Sequence, residues 1–169
     1  MWAQEYNAQG PRRRARYQKL LLCQFNEGKK KKFAVAEHFI DGEYVKFNTN
    51  TGKINKSKHR GQGTAQAFSH FTWEASGHTE LVCDIQGNRH CWTDAAIHTK
   101  DGRGYGRSNL GMRGINAFFA THKCNEHCIK LGIHKKKSTG SSKGFAGQLA
   151  EDADDDQGYR RHIEYNAFM

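Results

Sequence analysis

His122-Lys123-Cys124-Asn125-Glu126-His127-Cys128 is the stretch from which the rest of the chain is read. Its His-x-Cys-x-x-x-Cys spacing offers a metal three ligands, and on a helix Cys124 and Cys128 would lie one turn apart on the same side. Zinc favours such a thiolate and imidazole set, and it needs a fourth ligand that spacing alone does not choose among the remaining histidines. The plainer alternative is a pair of buried thiols beside a surface histidine. Upstream, Asp84-Ile85-Gln86-Gly87 and Thr93-Asp94 carry hard oxygen ligands of the kind that Mg²⁺ shares with nucleotide phosphates. A structural zinc and a Mg-nucleotide site are therefore expected in one half of the sequence.

The 169 residues suit one domain. With 36% apolar residues, 18 glycines and a mean hydropathy of -0.89, its core is modest and a metal staple would help it. The net charge is +10, and the residues from Lys135 onward carry as many acidic as basic side chains, so the excess lies in residues 1 to 134. A basic surface attracts nucleic acid, anionic membranes or acidic partners, and charge does not choose among them. Cysteine number is odd, at five, the start Met1-Trp2-Ala3-Gln4-Glu5 is polar, and no apolar run is long enough to cross a membrane. These features predict a reducing, cytoplasmic setting with thiols or metal ligands rather than disulfides.

Along the chain, Leu20 to Phe25 and Phe33 to Ile40 read as a hairpin, and a further strand is expected around Tyr44 to Phe47. A polar loop over Asn48 to Gly63 leads into a helix over Ala65 to Ala75, with Ala67, Phe68, Phe71 and Ala75 on one side. Leu81 to Ile85 reads as a strand buried on both faces, and its alternation would aim Val82, Asp84 and Gln86 the same way. A Gly-rich loop, Lys100 to Gly111, precedes a helix over Met112 to His122 whose stripe of Ile115, Phe118 and Phe119 carries His122 inward. Gly111, opening that helix, is positioned to approach an anion or a peptide backbone. The tail from Lys135 has the composition of a disordered segment.

Read together, these segments resemble the alpha-kinase family of atypical protein kinases. The matching text is Glu43 to Asn50, Gln66 to Glu74, Leu81 to Gly87, Trp92-Thr93-Asp94, Ile97-His98-Thr99, Gly106 to Gly111 and Phe118 to Cys128. The resemblance implies an α+β, atypical protein-kinase fold over residues 1–134, with a zinc-stapled C-terminal lobe and a tail over 135–169. It implies transfer of the ATP γ-phosphate to serine or threonine of a protein, with Mg²⁺ and ATP as cofactors. By position, Asp84 is the catalytic aspartate, Gln86 and Asp94 are the magnesium ligands, and Glu37, Lys46 and Asn50 lie near the nucleotide. His70, His122, Cys124 and Cys128 hold zinc, and Gly106, Ser108 and Gly111 belong to the loop that meets the peptide.

The same comparison puts the start of this sequence at the helix that follows the family's first strands. No residue is then assigned as the ATP-binding lysine, and weak or absent transfer is expected from this chain. Two other readings stand beside it. One is a kinase-derived scaffold without catalysis; the other is a basic zinc module that binds RNA through aromatics such as Phe71 and Trp73. The second is disfavoured, because those aromatics fit a helix core better than a stacking platform.

Overall fold

The computed structural model describes residues 1–55 and 59–134; the expected tail from 135 lies outside the described residues. A short helix α1 (Trp2–Ala8) opens the chain. Asn7 then clamps the following turn, donating from Nδ2 to Ala15 O and accepting from Ala15 N, each at 2.8 Å. This clamp lays residues 16–18 beside a later strand, where Trp92 N donates to Arg16 O and Gln18 N to Trp92 O.

The expected hairpin is present as β1 (Leu21–Glu27) and β2 (Lys30–Ala36), antiparallel, with Glu27 opposite Lys30. Gly28 supplies the positive φ that a two-residue loop requires at its first position. Both strands are exposed along their whole length.

Two further antiparallel sheets carry the remaining strands. In one, β3 (Val45–Lys46), β5 (Gln86–Gly87) and β6 (Trp92–Thr93) lie in that order; in the other, β4 (Glu80–Cys83) pairs with β7 (Ala96–Thr99). Helix α2 (Gln62–Ala75) begins three residues earlier than expected and packs against α1 and β4. It is buried around its circumference from Thr64 to Thr72, whereas Ala75, expected on the core side, is exposed. Phe71 is buried too, so the aromatic platform of an RNA-binding reading does not exist there. Tyr6 meets Phe68 and Phe71 edge-on, at 5.3 and 5.4 Å between ring centres, in a core completed by Phe47, Ile85 and Trp92.

Strand β4 is shorter than the sequence suggests. It ends at Cys83, because Asp84 turns into the left-handed region with φ 56°. Asparagine and aspartate tolerate that region better than other side chains. The alternation argument that put Val82, Asp84 and Gln86 on one face of a single strand is therefore wrong: Asp84 is a turn residue between β4 and β5. Helix α3 (Gly111–Thr121) follows the Gly-rich loop, and His122 is its C-cap rather than its last turn. Helix α4 covers only Glu126–Lys130, N-capped by Asn125, whose Oδ1 accepts from His127 N and Cys128 N. Cys124 thus precedes the helix, and the shared-face reasoning for the two cysteines does not apply. Among the described residues no helix is long and apolar enough to cross a membrane.

Candidate active site and metal centre

The sheet register builds the first site. Lys46 pairs with Gln86, and Gln86 pairs with Thr93, so three polar side chains form one row across β3, β5 and β6. Residues opposite one another in a ladder share a face. The turn at Asp84 brings its Oδ1 to 3.1 Å from Lys46 Nζ at the end of that row. Asp94 follows Thr93 through a second left-handed turn, φ 48°. Gln86 Nε2 donates to Asp94 O at 3.1 Å and to Asp94 Oδ2 at 3.3 Å. Thr93 Oγ1 donates to Glu37 Oε2, which places the carboxylate of Glu37 over the same row.

Three carboxylates, Asp84, Asp94 and Glu37, therefore converge with one ammonium. Burial first, then Asp84 and then Glu37, raise the Asp94 pKa above its ordinary value, and Lys46 opposes them. Such a cluster favours a divalent cation bound through oxygen, which relieves the repulsion. With the amide nitrogen of Gln86 turned to Asp94, its amide oxygen is the ligand atom it has to offer. The donor chemistry fits magnesium held with the help of nucleotide phosphates.

Asn50 is held in place through its backbone. Its carbonyl accepts a bond from His98 Nε2 at 2.7 Å. The ring of His98 accepts from Leu110 N at Nδ1, 3.1 Å, and its Nε2 stands 3.2 Å from Cys83 Sγ. One nitrogen accepts and the other donates, so the ring is neutral. Burial lowers its pKa accordingly. Burial likewise pushes the Cys83 thiol up, so it is no nucleophile.

Through His98, the loop that begins at Lys100 is fastened next to the residue that precedes Asp84. Asn109 organises the same loop. Its Oδ1 accepts from Thr99 N and Gly111 N, and its Nδ2 donates to Thr99 Oγ1, Arg103 O and Gly104 O. The amide of Gly111 is thereby spent, so it is not open to an anion as its place at a helix start suggested. Gly106 has φ 75°, and Ser108 Oγ donates to Tyr105 O at 3.4 Å, so the expected small residues of the loop hold a turn.

The second site lies between α2, the end of α3 and α4. One ligand atom from each of His70, His122, Cys124 and Cys128 falls within 4.8 Å of the other three. Cys124 Sγ is 3.7 Å from His70 Nδ1, and Cys128 Sγ is 3.7 Å from His122 Nε2. Tetrahedral bonds of the usual zinc lengths put ligand atoms roughly 3.3–3.8 Å apart, so the arrangement fits that ion. The far nitrogen of His70, Nε2, faces Glu74 Oε1 at 3.4 Å, which fixes the ring with Nδ1 toward the cluster. His122 is stacked on Phe118, 4.9 Å between ring centres. The Cys128 thiol is pushed up to about 11, first by burial. A cation among the sulfurs reverses that preference by favouring thiolate.

Sequence reasoning passed over several residues that the geometry makes important. Asn48 is fully buried; its Oδ1 accepts from Ile85 N at 2.9 Å, inside the Asp84 turn, and its Nδ2 donates to Ser69 Oγ and Gln66 Oε1. A lone polar residue closing an apolar strand was the available signal. Thr93, His98 and Asn109 lie in segments that the sequence singled out, but spacing gave none of them its role, because each acts through a register or a loop closure.

Comparison with known proteins agrees with this architecture. The family model that matches is described as the alpha-kinase family and covers residues 1–128. Eukaryotic elongation factor 2 kinase of Homo sapiens is 39% identical over 133 residues, which is 79% of this chain and 18% of that protein. Myosin heavy chain kinase B of Dictyostelium discoideum is 38% identical over 133 residues, 78% of this chain and 18% of that one. Among solved structures, the alpha-kinase domain of myosin heavy chain kinase A in complex with ADP matches with a TM-score of 0.73 and 36% identity. That match covers 79% of this chain and 54% of the other. A form of the same domain complexed with ATP matches with a TM-score of 0.72 and 34% identity, over 79% of this chain and 53% of that one. The chain thus spans about half the length of the solved domains and under a fifth of the curated relatives named here.

Proposed function

The chain belongs to the alpha-kinase family, and on that premise we propose that residues 1–134 form an ATP-dependent protein serine/threonine kinase domain acting in the cytoplasm. The observation that carries the proposal is the row Lys46, Gln86 and Thr93, with Asp84 and Asp94 at its end. Phosphoryl transfer asks a protein mainly for positioning and charge compensation. Asp84 orients the attacking hydroxyl and takes its proton, and Lys46, 3.1 Å from its Oδ1, aims that carboxylate. Gln86 and Asp94 hold magnesium, which when bound compensates the charge of the ATP phosphates. Glu37, fixed by Thr93, and Asn50, fixed by His98, border the nucleotide. Gly106, Ser108 and Gly111 shape the loop that meets the peptide.

His70, His122, Cys124 and Cys128 hold a structural zinc in the C-terminal lobe. Support comes from the 3.7 Å separations and from the carboxylate behind His70. The ion joins α2 to the segment after α3.

The test is transfer of labelled γ-phosphate from Mg-ATP to threonine-containing peptides by the purified chain, with Asp84→Ala beside it. Transfer that disappears in the variant supports the reading. A folded chain that transfers nothing and does not bind ATP overturns it, and leaves a scaffold derived from a kinase.

A further inference from the structure

The peptide group that follows Asp84 is held by a side chain and not by the ladder beside it. The register of β3 and β5 sets Lys46 opposite Gln86; carried on, it would set Phe47 opposite Ile85 and Asn48 opposite Asp84. Half of the next pair forms, with Phe47 N donating to Ile85 O at 2.8 Å. An antiparallel pair of this kind exchanges two bonds, and the second would run from Ile85 N to Phe47 O. Phe47 O is occupied otherwise: it accepts from Gln62 Nε2, Gln66 Nε2 and Asn55 N. Ile85 N donates to Asn48 Oδ1 instead, at 2.9 Å.

This exchange of acceptors releases Asp84 from the ladder. A backbone acceptor would keep the strand running and Asp84 extended, whereas an acceptor on a side chain lets the chain break off into φ 56°. A residue other than glycine keeps that conformation only where its surroundings hold it. Asn48 is able to hold it because it is itself fixed. It is fully buried, and its Nδ2 donates to Ser69 Oγ at 3.1 Å and to Gln66 Oε1 at 3.3 Å, both on α2. Lys46 grips the Asp84 carboxylate at 3.1 Å, and Asn48, two residues on, grips the peptide behind it.

We propose that Asn48 is a positioning residue for phosphoryl transfer. Being fully buried, it acts through Asp84 and not on a substrate: it sets the backbone of that residue, and with it the direction of the carboxylate that receives the hydroxyl proton. The inference rests on the kinase reading above and adds to it the residue that aims its base. An Asn48 that merely satisfied a buried turn would matter to stability in the way Ser69 does, with no separate effect on the rate.

The experiment compares Asn48→Leu, Asn48→Asp and Ser69→Ala in the whole chain, by steady-state transfer of phosphate from Mg-ATP to a threonine peptide. Asn48→Leu keeps the volume and removes the acceptor. A misplacement of about 1 Å at a reacting group can cost about 10²-fold, so kcat is expected to fall by about that factor while the KM for Mg-ATP is kept. Asn48→Asp keeps an oxygen for Ile85 N and is expected to recover most of kcat. Its second oxygen accepts from the Ser69 hydroxyl, which can donate as well as accept. Ser69→Ala removes an anchor and leaves the acceptor, so it lowers the denaturant midpoint and keeps kcat. Hydrogen exchange of the Ile85 amide, read without ATP, should speed up in Asn48→Leu alone. The proposal is overturned by a kcat that survives Asn48→Leu, that Asn48→Asp fails to recover, or that follows stability alike in all three variants. An Ile85 amide that stays protected in Asn48→Leu overturns it as well. If no form transfers phosphate, the kinase reading fails, and exchange at Ile85 decides by itself whether Asn48 holds the turn. Asn48→Ala takes the place of the leucine variant if that one does not fold.

Discussion

Lys46 and Asp84 meet at 3.1 Å although they come from different sheets: Lys46 from β3, Asp84 from the turn that ends β4. The contact exists because Asp84 takes a left-handed conformation, which sends its side chain back toward the neighbouring ladder. Replacing Lys46 by methionine leaves that carboxylate without its ammonium. Transfer by the Lys46→Met chain is expected to fall by about 10²-fold or more, while stability changes by no more than about 1 kcal/mol because the pair is partly exposed. Phosphate transfer and urea unfolding on the same preparation separate the two effects.

Asp94 offers a prediction of the opposite kind. Its pKa is raised in the folded chain, by burial, Asp84 and Glu37. A native state that binds the proton more tightly than the unfolded state loses stability as pH rises above the ordinary aspartate value of 3.8. Above the raised folded value the loss is complete, and at neutral pH the ionised cluster works against folding unless a divalent cation fills it. Asp94→Asn should therefore raise the melting temperature of the metal-free chain at pH 7 while abolishing Mg-dependent transfer. It should also flatten the decline in stability that sets in as pH rises past the ordinary aspartate value. A lower melting temperature in the metal-free variant would contradict the account.

How much of this was readable in advance differs from element to element. Helix α2 and the hairpin were legible because their apolar spacing or their turn residues are local signals. Asp84, Gln86 and Asp94 were picked out by residue type, but the alternation that linked Asp84 to Gln86 was wrong. They are neighbours through a ladder register and two left-handed turns, not through alternation on one strand. Register depends on which strands pair, and no window of sequence contains that information. The same holds for Asn109 and His98, whose partners lie in separate segments. The zinc-type cluster was half legible: the cysteine spacing drew attention to it, but Asn125 starts the helix after Cys124. His70 enters from a helix more than fifty residues earlier.

Glu74 gives that cluster its most discriminating test. It stands behind His70 at 3.4 Å and lies 3.0 Å from His78 on the surface. If the four donors hold zinc, metal analysis of the purified chain should find the ion in equimolar amount, and a strong chelator should lower the melting temperature. Glu74→Gln keeps the shape but removes the charge that orients His70, and is expected to weaken zinc binding by about 10–100-fold. A chelator competition monitored by a zinc-sensitive dye reads this directly. Unchanged competition would mean that Glu74 is a surface partner of His78 and nothing more.

Gly114 tests whether His98 is the joint between the loop and the reacting centre. It sits on α3 so close to the imidazole that a Cβ there would stand 2.3 Å from His98 Nε2. That nitrogen is the one that donates to Asn50 O, and the opposite nitrogen accepts from Leu110 N. Gly114→Ala therefore forces the ring aside and breaks the bonds that hold two loops. Crowding of this kind costs about 1–3 kcal/mol, read from denaturant midpoints. Hydrogen exchange shows where the cost falls: the amide of Leu110 should lose its protection and the loop over 100–110 should exchange faster. Amides of α2, none of whose residues bonds to His98, should keep theirs. Loss of protection throughout the chain would mean a general packing defect, and His98 would no longer be a joint between the loops.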